Sequence, residues 1–263
     1  SGEPRRWAGA AYSFIQWRRL RTYERRACTV ADQVVAVSET DSEALRELTP
    51  GLAPNVVPNG VDMKLYTEPI SPHGGFRVTA NGISPGSPDL GSDLVFTGKM
   101  DFRPNVDAVL WFAQHVLPQV RQDVPDARFW VVGRGSHSRL APLADNPAVT
   151  VTGWVEDIRP YIAGATVYVI PLRIGGGTRL KVLEAMAMAK AIVSTSLGCE
   201  GFDLVPGQEL VMADMPAEFA REVLALLNDA PRRQELGRAA RAFASSKYDW
   251  RLIVPRLERV YGR

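Results

Sequence analysis

The segment Ile170–Ser196, IPLRIGGGTRLKVLEAMAMAKAIVSTS, constrains the fold of this chain more than any other stretch. It has the pattern of a strand, a triple-glycine turn that opens a helix, and a second strand. Such a turn brings free backbone N–H groups and the positive end of a helix dipole to one point, which suits a diphosphate. Gly175, Gly176 and Gly177 allow close approach to the backbone because they carry no side chain. The segment therefore predicts a site for a nucleotide or another phosphate ligand.

From Leu94 onward, apolar strands alternate with helical stretches along the sequence. This alternation predicts βαβ crossovers and an α/β fold, a Rossmann-like parallel sheet with helices on both faces. In such a fold the ligand lies at the carboxyl ends of the strands. The predicted strands are Leu94–Thr97, Arg128–Val132, Val149–Thr152, Val167–Pro171, Ala191–Thr195 and Glu209–Met212. The predicted helices are Asn105–Val120, Ile158–Ala163, Leu180–Lys190, Ala217–Asn228, Arg232–Lys247 and Trp250–Tyr261.

The part of the chain before Leu94 has a less regular pattern. The segment Glu68–Asp93 is rich in Pro, Gly and Ser, so we expect a linker or mobile loop there. Ser38 is predicted to be the N-cap of a helix. The predicted elements are a helix over Tyr12–Cys28, a strand over Gln33–Val37, a helix over Glu39–Leu48 and a short strand at Val56 and Val57.

Composition and motifs exclude several classes of protein. With 46% hydrophobic and 23% charged residues among 263, the chain is typical of a globular protein, and its net charge of +2 gives no reason to expect a nucleic-acid partner. The sequence lacks the P-loop motif, the dinucleotide motif after the first strand of the alternating region, and any Asp-x-Asp or His/Cys cluster for a metal. The cysteines, Cys28 and Cys199, lie far apart, and no signal peptide is evident, so we expect a cytoplasmic protein.

The first 26 residues concentrate positive charge, with seven Arg against two Glu. Trp7, Tyr12, Phe14 and Trp17 are interleaved with them. One interpretation is a basic amphipathic helix that makes peripheral contact with the inner face of the membrane. The other is a helix that packs its aromatic side chains on a neighbouring domain and solvates its arginines. The sequence leaves both open.

Six segments, taken in order, resemble family 4 glycosyltransferases of the GT-B fold. They are ADQVVAVSETDSEALREL with NVVPNGVD, LVFTGKMDFRPNVDAVLWF, RFWVVGRG, VTVTGWVEDIRPYIAGATVYVIPLR and GGGTRLKVLEAMAMAKAIVST. The resemblance implies that the main domain is the C-terminal, donor-binding domain of that fold, and that most of the N-terminal domain is missing from this sequence. The expected divisions are the end of the N-terminal domain at 1–67, a linker at 68–93, the nucleotide-sugar-binding domain at 94–248 and a C-terminal crossover helix at 249–263.

The same resemblance implies an activity. We expect a retaining glycosyltransferase that transfers a sugar from a nucleoside diphosphate sugar to a glycan, lipid or small-molecule acceptor, with no cofactor and no metal. The alternative is a non-catalytic nucleotide-sugar-binding subunit that needs a partner chain for the acceptor site. In glycosyl transfer, negative charge develops on the leaving phosphate, so fixed cations and amide donors near it lower the barrier.

The resemblance also assigns roles to individual residues. By family position, Lys99 and Arg103 would neutralise the diphosphate and Glu184 would bind the ribose. Each has a simpler alternative, since cations in a strand-to-helix loop are often solvated and Glu184 is placed to pair with Lys181. The family's Glu-x7-Glu motif has Gly176 in place of its first glutamate, so the choice of sugar is not implied.

Other predicted binding residues surround these positions. The amides of Gly176, Gly177 and Thr178 are placed to contact the β-phosphate and the sugar, and Arg179 either binds phosphate or caps a carboxylate. Trp154 either contacts the base or belongs to the core. The further predicted substrate-binding residues are Gly98, Gly133, Gly135, Val155, Gly175 and Leu180.

Overall fold

The computed structural model describes residues 3–66, 76–79, 82–85, 93–135 and 137–262. These residues form two compact units. The first unit consists of the residues up to Pro58 and those from Val254 onward. The second unit consists of the residues from Asn59 to Ile253. Across the part of the chain that is described, no helix combines the length and the apolar character needed to span a bilayer.

The first unit is a small arrangement of helices and short strands. Ser38 is the N-cap of its second helix, as predicted: its backbone is extended and its Oγ accepts a hydrogen bond from the Asp41 N–H at 3.0 Å. The aromatic side chains of Tyr12, Phe14 and Trp17 on the first helix are exposed. The elements are α1 (Glu3–Val30), β1 (Val35–Ala36), α2 (Glu39–Leu48) and β2 (Asn55–Val56), and the two strands pair in parallel.

The second unit is built on a six-stranded parallel sheet, which confirms the predicted α/β class. It also contains an antiparallel pair, β3 (Phe76–Thr79) and β4 (Gly82–Pro85). The sheet strands are β5 (Asp93–Thr97), β6 (Arg128–Val132), β7 (Val149–Gly153), β8 (Val167–Ile170), β9 (Ile192–Ser194) and β10 (Val211–Met212), in the spatial order β10-β9-β8-β5-β6-β7.

Helices flank this sheet. The helix predicted over Asn105–Val120 begins two residues earlier and is interrupted by a π-helical turn at Phe112–Val116. The interruption lies just before Pro118, which has no N–H to donate to the preceding turn. The helices are α3 (Arg103–Trp111), α4 (Leu117–Asp123), α5 (Arg159–Gly164), α6 (Leu180–Ala187), α7 (Pro216–Asn228), α8 (Ala230–Lys247) and α9 (Trp250–Val260).

Strand β5 lies at the centre of the sheet and positions the site. It pairs with β6 on one side and with β8 on the other, so the strand order reverses between β5 and β8. Ligands of doubly wound sheets bind outside the carboxyl ends of the strands at such a switch point. Leu94, Phe96 and Tyr168 are fully buried there and anchor both strands in the core.

The predicted linker over 68–93 lies mainly outside the described residues, but its last residue was wrongly placed. Asp93 is the first residue of β5 and is fully buried. Its Oδ1 accepts hydrogen bonds from Trp130 Nε1 at 3.0 Å and from Arg128 Nε at 3.1 Å. Burial raises the pKa of Asp93, and the hydrogen bonds to Trp130 and Arg128 oppose that shift. A carboxylate that follows a polar stretch is expected to be solvated. The burial of Asp93 depends on its partners on the neighbouring strand β6, which are distant in sequence.

Candidate functional site

A cleft of about 630 Å³ opens at the carboxyl ends of β5, β6 and β7. The structure brings together nine of the predicted residues in its lining: Gly98, Lys99, Gly133, Trp154, Val155, Thr178, Arg179, Leu180 and Glu184. The other predicted residues lie outside the lining, namely Arg103, Gly135, Gly175, Gly176 and Gly177. The sequence analysis missed further lining residues, among them Phe102, Pro104, Asn105, Arg134, Ile158 and Lys181.

Two glycines form the floor of the cleft where β5 and β6 end. Gly133 has a φ of +138°, and a β-carbon on it would overlap the carbonyl oxygen of Gly98. A β-carbon on Gly98 would in turn lie 2.6 Å from Asn105 Nδ2. Both positions therefore need glycine for close packing of backbone and side chains, whatever binds above them. Gly135, with a φ of +95°, packs in the same way against the Asp101 backbone N.

The two predicted phosphate cations after β5 are placed differently. Lys99 is exposed in the cleft lining, and its Nζ lies 3.9 Å from Asp101 Oδ1. Arg103 is the first residue of α3 and is exposed outside the lining. Only Lys99 therefore faces the cleft in this conformation, and the phosphate role of each remains a prediction.

The triple-glycine turn precedes α6 and is held by Arg179. Gly175 and Gly177 have φ values of +106° and +81°, in the left-handed region that favours glycine. Arg179 Nη1 donates to the Gly176 carbonyl oxygen. The Nε and Nη2 atoms of Arg179 are buried and find no hydrogen-bond partner among the described residues. The guanidinium thus braces the turn and keeps two buried N–H groups without a hydrogen-bond partner among the described residues.

Glu184 is half-buried on α6 and is already oriented by a neighbour. The Tyr66 hydroxyl donates a hydrogen bond to its carboxylate. Burial raises the pKa of Glu184, while Tyr66 and the nearby Lys181 oppose the shift. The sequence analysis missed Tyr66, because nothing local to either residue links two positions so far apart in the chain.

The sequence analysis considered Lys181 only as a partner of Glu184; the two interact electrostatically, but the hydrogen bond of the amine goes to another element. Lys181 Nζ donates to Asn105 Oδ1 at 2.8 Å and lies 3.8 Å from the centre of the Phe96 ring. Burial lowers the pKa of Lys181 to about 7, an effect that Glu184 opposes. The signal available in the sequence was the spacing of Lys181 and Glu184, which puts both on one face of α6.

Trp154 lies at the rim of the cleft, directly after β7. Its side chain is 72% exposed, so the alternative that it belongs to the core is wrong. Val155 and Ile158 line the cleft beside it and pack against the core. The indole therefore has an open face next to an apolar wall, an arrangement that suits a planar ring.

Comparison with known proteins assigns this architecture to a family. The family model of glycosyl transferases group 1 matches residues 91–229, more than half of the chain, and the match includes every strand of the six-stranded sheet. The chain belongs to the glycosyl transferases group 1 family. The resemblance read from the sequence segments is thereby confirmed.

Proteins of known structure share the fold. Anabaena HepE in complex with UDP and glucose superimposes with a TM-score of 0.68 at 17% identity, over 92% of this chain and 67% of HepE. The C-terminal domain of LpcC, a group 1 family protein from Francisella tularensis, is covered completely by 73% of this chain, with a TM-score of 0.55 at 15% identity. The chain therefore has the fold of the C-terminal domain of GT-B glycosyltransferases.

A curated relative within the family is the phosphatidyl-myo-inositol mannosyltransferase of Mycobacterium leprae. It is 32% identical over 183 residues, which cover 67% of this chain and 48% of the relative. The chain spans about half the length of the curated relatives it matches, between 42% and 55% for three of them.

Proposed function

We propose that this chain carries the donor-binding part of a retaining glycosyltransferase that uses a nucleoside diphosphate sugar. The observation that carries the proposal is the cleft at the carboxyl edge of the parallel sheet, lined by Glu184 together with Lys99 and Arg179, in a member of this family. A carboxylate for hydroxyl groups and cations for phosphate are the two kinds of group that such a donor requires.

The phosphate end of the donor is assigned to the start of α6 and the turn after β5. Arg179 offers guanidinium donors that have no hydrogen-bond partner within the described ranges, and Lys99 adds an exposed ammonium group. Thr178 and Arg179 directly precede α6, which begins at Leu180, and the free N–H groups and the dipole at this end of the helix favour an anion. As the bond to the sugar breaks, these groups stabilise the charge that develops on the departing diphosphate.

The nucleoside end is assigned to Glu184 and Trp154. An ionised carboxylate has about four acceptor sites, so Glu184 can keep the Tyr66 hydrogen bond and still accept from ribose hydroxyls. The exposed indole of Trp154 offers a stacking surface for the base. The UDP bound to the structural neighbour HepE supports a nucleotide in this role.

The acceptor is proposed to carry a free hydroxyl group on a lipid, a glycan or a small molecule. The M. leprae relative acts, by its name, on phosphatidyl-myo-inositol. A cytoplasmic protein with peripheral membrane contact would reach such a lipid, and the arginines of α1 supply charge for that contact.

Thermal shift with a panel of UDP and GDP sugars tests the donor assignment. A ligand present at 100 times its dissociation constant adds about 2.7 kcal/mol of stability to the wild-type chain. Glu184→Ala should weaken nucleotide binding by about 1 to 3 kcal/mol, the scale of a hydrogen bond to a buried charged group. Glu218→Ala, a change at an exposed glutamate on α7 away from the cleft, is the matched control. The proposal fails if no member of the panel stabilises the wild type, and the role of Glu184 fails if its variant matches the control.

A further inference from the structure

The amine of Lys181 is held at the base of the cleft by contacts from two other elements. It donates to Asn105 Oδ1 of α3 at 2.8 Å and lies over the Phe96 ring of β5 at 3.8 Å. Asn105 is itself fixed, because its Nδ2 donates to the Lys99 carbonyl oxygen at 2.9 Å. That bond turns the amide oxygen of Asn105 toward the amine. The position of the positive charge is therefore set by the structure before any ligand arrives.

The backbone around Lys181 is shaped to admit its amine. A β-carbon on Gly98 would lie 3.0 Å from Lys181 Nζ, so the end of β5 has no side chain where the amine sits. The ammonium group has three N–H donors, and Asn105 is its hydrogen-bond partner among the residues that the structure describes. A half-buried cation with unused donors is costly unless a further acceptor satisfies it.

Lys190, a second half-buried lysine close to Lys181 in sequence, has a purely structural role and serves for comparison. Lys190 follows α6, and its Nζ donates to the carbonyl oxygens of Ala163 at 2.6 Å and Ala165 at 2.8 Å. Those bonds give hydrogen-bond partners to the carbonyl groups at the end of α5 and in the short segment that leads into β8. Lys190 does not line the cleft, whereas Lys181 lines it together with Glu184 and Arg179.

The burial of the Lys181 amine gives an anionic ligand a stabilising role beside it. Glu184 lies one turn further along α6 and Arg179 lies just before the helix, while α3 contributes the neutral Asn105 and β5 the Phe96 ring. Burial lowers the pKa of Lys181 to about 7, with Glu184 opposing the shift and Arg179 adding to it. An anion beside the amine would restore its charged form.

We infer that Lys181 is a further ligand-binding residue of the site: its ammonium group contacts the diphosphate of the donor from the floor of the cleft, and Asn105 is the residue that positions it. The inference rests on the proposed function, since it assigns one more contact to the same donor. It differs from the sequence prediction, which gave the phosphate charge to Lys99, Arg103 and Arg179 and none of it to Lys181.

The test compares ligands that differ only in the diphosphate. Uridine with UDP, and guanosine with GDP, are titrated by ligand-observed NMR into the full chain as wild type, Lys181→Met, Lys181→Arg and Lys190→Met. We expect Lys181→Met to weaken diphosphate binding at least tenfold and nucleoside binding less than twofold. Lys181→Arg should recover part of the loss because it keeps the charge. Lys190→Met is the matched control, and it should leave the ratio of the two affinities unchanged.

The outcomes separate this inference from the proposed function. If the wild type binds neither diphosphate, both fail. If the wild type binds a diphosphate and Lys181→Met loses nucleoside and diphosphate affinity by the same factor, or loses neither, Lys181 is structural and only the inference fails. Should Lys181→Met not fold, Asn105→Leu is used in its place. Selective loss of diphosphate affinity, threefold or more, supports the inference, and an unchanged ratio overturns it.

Discussion

Lys181→Met should alter the way in which folding stability depends on pH. The folded state lowers the pKa of Lys181 from 10.5 to about 7, chiefly because the amine is buried. In the unfolded chain the amine keeps its ordinary pKa, so between these two values the unfolded state binds more protons than the folded state. The free energy of unfolding therefore rises with pH across that interval, and removal of the amine abolishes this contribution.

The size of the effect follows from the shift. One pKa unit corresponds to about 1.4 kcal/mol, so between about pH 7 and about pH 9 the wild type should gain about 2 kcal/mol relative to the variant, allowing for partial titration at the lower limit. Methionine is a suitable replacement because it is unbranched, of similar length and uncharged.

Urea unfolding at a series of pH values and constant ionic strength measures this difference. Lys64→Met, at an exposed lysine of the same unit outside the cleft lining, is the control for the general titration of lysines and tyrosines. We expect Lys64→Met to follow the wild-type profile and Lys181→Met to have the shallower slope. Parallel profiles for the wild type and Lys181→Met would refute the argument, since they would mean that burial does not perturb this amine.

Two further predictions concern the backbone. Gly133→Ala should lower the free energy of unfolding by about 3 kcal/mol, because the new β-carbon would overlap the Gly98 carbonyl oxygen. Gly176→Ala is the control, since the space around Gly176 is open, and it should change the free energy of unfolding by less than about 0.5 kcal/mol. Equal effects of the two substitutions in urea unfolding would contradict this prediction. Ala189→Gly should raise the urea midpoint, with a gain of about 0.5 kcal/mol, because Ala189 directly follows the C-cap of α6 with a φ of +53°. An unchanged or lower midpoint would count against left-handed strain at that position.

The sequence predicted the elements that have strong local signals. The bounds of β6 and α2 match the prediction because an apolar run with clear flanks marks the strand, and Ser38 marks the start of the helix. The interruption of the predicted Asn105–Val120 helix was missed, although Pro118 is visible in the sequence, because a proline in a helix is accommodated in more than one way.

The same distinction between local and long-range signals applies to the residues of the site. Glycines and cations near strand ends were found from the order of strand, turn and helix, and four of these nine residues line the cleft: Gly98, Lys99, Gly133 and Arg179. The pairs Lys181 with Asn105 and Tyr66 with Glu184 were missed because each joins distant parts of the chain through side chains. The predicted role of Gly175–Gly177 as ligand-facing amides stays untested, since the turn lies outside the lining.

The hydrogen bond from Tyr66 to Glu184 joins the lining of the cleft to the segment that begins the second unit. Tyr66 lies a few residues after Asn59, where that unit begins. A ligand that donates to the same carboxylate changes the strength of the Tyr66 hydrogen bond, and with it the free energy that holds this entry segment in place. By thermodynamic reciprocity, a displacement of the entry segment changes the affinity of Glu184 for the ligand by the same factor. Binding in the cleft and the position of the segment around Tyr66 are therefore expected to be thermodynamically coupled.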